Sequence, residues 1–161
     1  MKILIAIDDS PCSAYAIENI AQRPWPKDTK FQMIMVVEPL LYDYEYALSS
    51  KLASVLAEAK NEFRDYAQEL IKSKVEQFKQ TSGISDVSGK IIDGLVTDSI
   101  LEEAKNSDAD LIVLGSHGRK GIQKLVLGSV AENIASHAPC SVEIVKEKLT
   151  KTAKKEISHG K

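Results

Sequence analysis

The most informative segment of this chain reads Leu111-Ile-Val-Leu-Gly-Ser-His-Gly118, and the pair Gly128-Ser129 follows ten residues later. A short run of branched apolar residues that ends at a glycine is typical of a buried strand leading into a loop. The three glycines of this segment allow positive φ and let a ligand approach the backbone closely. Residues 130–134 have a helical pattern, so Ser129 would lie where a helix presents free N–H groups and the positive end of its dipole. The segment therefore predicts a cradle for phosphate.

The rest of the chain alternates apolar runs with amphipathic patterns. The predicted strands are Ile3–Ile7, Phe31–Val37, Val87–Ile92, Leu111–Leu114 and Ser141–Val145. The predicted helices are Ser10–Ala21, about Ser49 to Gln80, Asp98–Asn106 with Thr97 or Asp98 as its N-cap, and Ser129 to about Ser136. Strands joined by helices imply parallel pairing with right-handed crossovers. We therefore predict an α/β fold, a doubly wound parallel sheet with helices on both faces.

Length and composition indicate an ordinary globular protein. The 161 residues favour one domain, and the 43% hydrophobic and 27% charged fractions are average. A net charge of -2 argues against nucleic acid as a partner, and no apolar run approaches the ~20 residues that a membrane span needs. The N-terminal apolar run is too short for a signal peptide and meets Asp8 and Asp9, so we expect a cytoplasmic protein. Cys12 and Cys140 do not form a disulfide framework.

The chain divides into a domain over residues 1–146 and a basic tail over residues 147–161. The tail has lysines at 148, 151, 154 and 155 and little apolar content, which is typical of a solvated, flexible terminus. A second polar segment, between the second strand and the long helix, carries Tyr42, Tyr44 and Tyr46. These tyrosines could stack on a ligand, form a lid or pack against a partner.

Three loops are expected to meet at one edge of the sheet, because open parallel sheets bind ligands beyond the carboxyl ends of their strands. They are Asp8-Asp9-Ser10, Val37-Glu38 and Gly115–Gly118. A carboxylate that accepts ribose hydroxyls, beside a loop that donates to phosphates, suits a nucleotide. The loop matches neither a P-loop nor a dinucleotide fingerprint. Asp8 or Asp9 could instead only cap the first helix, and Arg119, Lys120 and Lys124 could be either phosphate contacts or a solvated loop.

The sequence also bears on three other function classes. A phosphoryl-accepting receiver domain needs an aspartate after the fourth strand, where this chain has Gly115, so that class is excluded. Efficient ATP hydrolysis needs a positioned water, and His117 is interpreted as a contact and not as a general base. An interaction protein of the same fold with an empty pocket stays open as the alternative.

The ordered pattern G-x2-G-x9-G-[ST], made by Gly115, Gly118, Gly128 and Ser129, resembles the ATP-binding signature of the universal stress protein family. The opening Lys2-Ile-Leu-Ile-Ala-Ile-Asp-Asp-Ser10 and the ending Ala138-Pro-Cys-Ser-Val-Glu-Ile-Val145 are also similar to that family. The resemblance covers Met1 to about Lys146. The chain departs from the family at Val96, where proline or alanine is usual after a glycine.

The resemblance implies a five-stranded sheet in the order 3-2-1-4-5, frequent homodimers and a stress-response or signalling role with an unidentified protein partner. It also implies ATP, or AMP or ADP, at the switch point, with Mg²⁺ held through phosphate oxygens and hydrolysis slow or absent. No metal ligand and no catalytic residue is assigned to the chain itself. The implied nucleotide-binding residues are Ile7, Asp8, Val36, Leu114, Gly115, His117, Gly118, Gly128, Ser129 and Val130.

Overall fold

The computed structural model describes residues 1–38, 50–118 and 127–146. In chain order the elements are β1 (Lys2–Ala6), α1 (Pro11–Ala21), β2 (Lys30–Val37), α2 (Ser50–Ser82), β3 (Val87–Asp93), α3 (Val96–Asn106), β4 (Leu111–Gly115), α4 (Ser129–His137) and β5 (Ser141–Val145). Each predicted strand and helix is therefore present, with ends that differ from the prediction by at most two residues. The tyrosine segment, the loop lysines and arginine after Gly118, and the tail from residue 147 lie outside the described residues.

The five strands form one parallel sheet in the order β3-β2-β1-β4-β5. The central strand, β1, pairs with β2 and β4, so that Ile3 lies between Phe31 and Leu111. Because helices cover both faces of such a sheet, its central strands are apolar on both sides. The predicted fold class and strand order are confirmed.

Alternate residues of the strands enter two separate cores. One core contains Ile3, Ile5, Phe31 and Met33 and packs under α1 and α2. The other contains Leu4, Ile34, Ile112 and Ile134 and packs under α3 and α4. This alternation is the two-residue side-chain period of a strand, and it fixes which helices lie on which face.

The longest helix, α2, extends well beyond the sheet. Its 33 residues span about 50 Å at ~1.5 Å per residue, whereas the 8 residues of β2 span about 26 Å. From residue 54 on, the buried residues of α2 lie in its second half, at Ala67, Ile71, Val75 and Phe78. Since α2 runs back from the carboxyl edge of the sheet to its amino edge, its first half lies above the carboxyl edge. We call residues 54–63 the overhang of α2.

Two helix starts differ from the prediction. Ser10 is the N-cap of α1, and its hydroxyl accepts a hydrogen bond from the Ser13 N–H at 3.2 Å, so neither Asp8 nor Asp9 is the cap. The predicted cap of α3 at Thr97 or Asp98 is wrong, because α3 begins at Val96 after an extended Leu95 that makes no side-chain cap. Gly94, with φ of 155°, turns the chain early enough for that start.

Further sequence expectations concern cysteines and membrane segments. Both cysteines are free, as predicted. Burial, reinforced by the charge of Asp110, raises the pKa of the Cys140 thiol above its ordinary value. Among the helices in the described ranges, none is both long and apolar enough to cross a membrane.

Candidate functional site

A cavity of about 910 Å³ opens at the carboxyl edge of the sheet. Its volume lies within the range of small-molecule sites, about 300–1,000 Å³. All ten residues that the sequence singled out lie in its lining: Ile7, Asp8, Val36, Leu114, Gly115, His117, Gly118, Gly128, Ser129 and Val130. The structure therefore brings the three predicted loops and the start of α4 together around one space.

Asp8 lies at the end of β1 in a fixed orientation. One carboxylate oxygen, Oδ1, accepts hydrogen bonds from the Ser10 N–H at 3.0 Å and the Ser10 hydroxyl at 2.5 Å. The Asp8 N–H donates to the Ser13 hydroxyl at 3.0 Å. The other oxygen, Oδ2, faces Gly118, where an added Cβ would lie 3.0 Å from it. Asp8 thus orients the cap of α1 and also presents a carboxylate to the cavity.

The loop after β4 is held in place by backbone contacts. A Cβ on Gly115 would lie 2.9 Å from backbone atoms of Cys12 and Ser13, so only glycine allows β4 to approach α1 this closely. The Ser10 hydroxyl, which donates to Asp8, also lies 3.3 Å from the His117 carbonyl, and this contact connects the β4 loop to the start of α1. Within the loop, the Ser116 hydroxyl lies 3.1 Å from His117 Nδ1.

The predicted reason for the glycines is partly wrong. Gly115, Gly118 and Gly128 do not adopt positive φ; within the described chain the glycines that do are Gly83 and Gly94. A Cβ on each of the three cavity glycines would instead meet another part of the site within about 3.2 Å, and at Gly115 it would lie 2.9 Å from backbone atoms. Their role is the close approach that the sequence also predicted, and not an unusual backbone conformation.

The start of α4 presents unsatisfied donors to the cavity. Its N-cap is Gly128 and not Ser129, with φ of -65° and ψ of 149° and no side-chain cap. The first hydrogen bond to the cap runs from the Glu132 N–H to the Gly128 carbonyl at 3.0 Å. By helix geometry, the N–H groups of Ser129, Val130 and Ala131 come before it and have no intrahelical acceptor. All three residues line the cavity, at the positive end of the helix dipole.

The other end of the cavity is apolar. Val36 and Leu114, at the carboxyl ends of β2 and β4, are both buried and line it. Val96 and Ile100, from the first turns of α3, contribute further apolar surface. Val96, where the chain departs from the family pattern, is thus part of the apolar wall of the cavity. The cavity combines an apolar slot with an end rich in N–H donors.

One wall was missed by the sequence interpretation. Ala59, Lys60 and Phe63, from the overhang of α2, also line the cavity. Arg64 is ion-paired with Asp93 at the end of β3, and the Tyr66 hydroxyl donates to Asp9 Oδ2 at 3.4 Å. These contacts hold α2 against the edge. The sequence signal for this wall was the length of the predicted helix, which exceeds the length of the strands.

The described residues offer no ready metal centre of their own. Residues 1–38, 50–118 and 127–146 contain no cluster of three or more His, Cys, Asp or Glu side chains that could hold a metal ion. The predicted Mg²⁺ is one held through phosphate oxygens, whereas Asp8 is predicted to contact the ribose.

Comparisons with known proteins agree on one family. A sequence model of the universal stress protein family matches residues 1–146. The universal stress protein MJ0531 of Methanocaldococcus jannaschii is 29% identical over 151 residues, which cover 91% of this chain and 82% of that protein. The solved universal stress protein UspA of Lactobacillus plantarum is similar with a TM-score of 0.75 and 26% identity, over 90% of this chain and 97% of that one.

Some structural neighbours bind nucleotides. The fold is similar to that of a universal stress protein family member from Arabidopsis thaliana with AMP bound, at a TM-score of 0.60 and 20% identity, over 94% of this chain and 95% of that one. Two further similar structures, at 20% and 17% identity, were solved in complex with cAMP and with dAMP. At these identities the likeness shows a shared fold, and the nucleotides are properties of those proteins.

The contact at Gly115 leads to a stability prediction. We expect Gly115→Ala to lower the free energy of unfolding by about 1–3 kcal/mol, because the new Cβ forces the backbones of β4 and α1 apart. Gly89→Ala is the control: its Cβ would meet only side-chain atoms of Ile71 and Val75, which can shift. Urea unfolding of both variants measures the difference. Equal stability of Gly115→Ala and the wild type would contradict the proposed close approach.

Proposed function

The chain belongs to the universal stress protein family, and we propose that it binds an adenine nucleotide, ATP or its products ADP or AMP, in this cavity. The observation that carries the proposal is the start of α4, where three consecutive residues whose N–H groups have no intrahelical acceptor line the same cavity as Asp8. Nucleotide binding by neighbours of the same fold supports the choice of ligand.

Each part of the cavity would bind a different part of the nucleotide. The N–H groups of Ser129 and Val130 would donate to phosphate oxygens, and the absence of a side chain at Gly118 would let the phosphates lie against the loop. Asp8 would accept a ribose hydroxyl through Oδ2, since Oδ1 already accepts from Ser10. The base would lie between Val36 and Leu114. Mg²⁺ would bind the phosphates and neutralise part of their charge.

We expect ATP to be held and turned over slowly or not at all. In the proposed binding mode the Asp8 carboxylate contacts the ribose, and His117 Nδ1 lies 3.1 Å from the Ser116 hydroxyl. We assign none of the described lining residues to orient a water for attack on a phosphate, which phosphoryl transfer requires. We propose that a protein partner recognises the nucleotide-bound state of this chain in a stress response. If no nucleotide binds, the alternative holds: the chain is an interaction protein with an empty cavity.

We further infer a cytoplasmic homodimer, with neither nucleic acid nor membrane as a partner. In the described chain β5 is an edge strand, with β4 on one side only, and an open edge can pair with a second copy.

Sedimentation equilibrium should then give twice the 17.7 kDa mass of the chain at micromolar concentration. A single-chain mass up to millimolar concentration would contradict the dimer.

The N-cap position provides a sharp test of nucleotide binding. Gly128→Asp gives α4 a capping carboxylate, which takes the free N–H groups and repels phosphate. We expect its ATP affinity to fall about a hundredfold, because charged hydrogen bonds to the phosphates are lost, while adenosine affinity changes less than about threefold. Calorimetry with ATP and Mg²⁺, and separately with adenosine, measures both.

The matched control is Gly128→Ala, which adds the same Cβ, 3.2 Å from the Ser116 carbonyl, without a capping oxygen. We expect it to bind ATP more tightly than Gly128→Asp, with an unchanged far-UV circular dichroism spectrum for both variants. Equal ATP affinities of the two variants would show that the phosphates do not bind at α4. An absence of wild-type binding at millimolar ATP would overturn the proposed function.

A further inference from the structure

We propose that Lys60, on the overhang of α2, is a phosphate-binding residue that makes the cavity favour nucleotides with more phosphate groups. The inference rests on the proposed function and adds to it a preference among its ligands. Lys60 lies outside the glycine motif and on a different face of the sheet from α4. It lines the cavity together with Ala59 and Phe63.

The position of Lys60 is set by residues that follow it on α2. Phe63, three residues later, packs against the core under α1 and α2 and lines the cavity. Arg64 and Tyr66 hold the helix to Asp93 and Asp9, which follow β3 and β1 at the carboxyl edge. Residues three and four apart share one face of a helix, so Lys60 lies on the face of Phe63, one turn farther above the sheet.

The charge of the cavity gives Lys60 its role. Among the lining residues that the structure describes, Asp8 and Glu38 are acidic and Lys60 is basic. A nucleotide triphosphate brings several negative charges into this space. The N–H groups of α4 would bind the phosphate chain from one face of the sheet, and the ammonium of Lys60 would bind it from the face that α2 covers. A flexible lysine is suited to bind phosphate as a point charge.

Other lysines of α2 have a different location. Lys72 is exposed on the half of the helix that covers the sheet, and Lys79 is ion-paired with Glu76 at 3.2 Å. Neither lines the cavity. Lys72 is therefore a matched control. It has the same side chain on the same helix, but it lies about 18 Å farther along α2 than Lys60 does, at ~1.5 Å per residue.

The test compares ligands that differ in phosphate charge. Binding of ATP, ADP, AMP and adenosine to Lys60→Gln, Lys72→Gln and the wild type is measured by calorimetry at one low ionic strength. For Lys60→Gln we expect ATP affinity to fall about tenfold, ADP affinity less, AMP affinity least, and adenosine affinity by less than about twofold, as for loss of a charge-assisted contact. Lys72→Gln should match the wild type, and Lys60→Arg should restore most of the ATP affinity.

The results separate this inference from the proposed function. If the wild type binds the four ligands and Lys60→Gln binds them with unchanged affinities, the role of Lys60 is wrong and the proposed function stands. An equal loss for adenosine and ATP also overturns it, because Lys60 would then shape the cavity and not bind phosphate. A wild type that binds none of the ligands overturns both. Thermal unfolding of Lys60→Gln checks that the variant folds, as expected for an exposed residue.

Discussion

The geometry of the cavity depends on the contact between Gly115 and the first turn of α1. No side chain fits there, because a Cβ would lie 2.9 Å from the Cys12 and Ser13 backbone. With β4 this close, the Ser10 hydroxyl, which accepts from Ser13 and donates to Asp8, also reaches the His117 carbonyl. One glycine thus allows a short hydrogen-bonded network to join the loops after β1 and β4, and this network forms the polar floor of the site.

Two helices, α1 and α4, begin at the carboxyl edge of the sheet, and their first turns differ. The first turn of α1 is satisfied by Ser10, a side-chain cap that is held by Asp8. The first turn of α4 follows Gly128, which has no side chain, so its N–H groups stay available to a ligand. A side-chain cap therefore stabilises the start of α1, and the start of α4 is the proposed phosphate site. The apolar slot beside them, formed by the ends of β2 and β4 and the start of α3, is the proposed site of the base.

The strand order and the ten residues that line the cavity were predicted from the resemblance to the family, which rests on a motif with fixed spacing. The helix predicted from Ser129 also begins there, after Gly128 as its N-cap. The start of α3 was missed because the turn at Gly94 depends on a backbone conformation that the sequence does not specify. Lys60 was missed because its position depends on how far α2 overhangs the sheet, which is set by Arg64 and Tyr66 through contacts distant in sequence.

The central claim is that the N–H groups at the start of α4 bind phosphate. Backbone amide chemical shifts of the isotope-labelled protein, followed by NMR while ATP or adenosine is added, test it most directly. ATP should move the amide signals of Ser129, Val130 and Ala131 strongly downfield, as hydrogen bonds to an anion do, and adenosine should leave them nearly unchanged. If ATP binds and these three signals do not move, or if adenosine moves them equally, the claim is wrong.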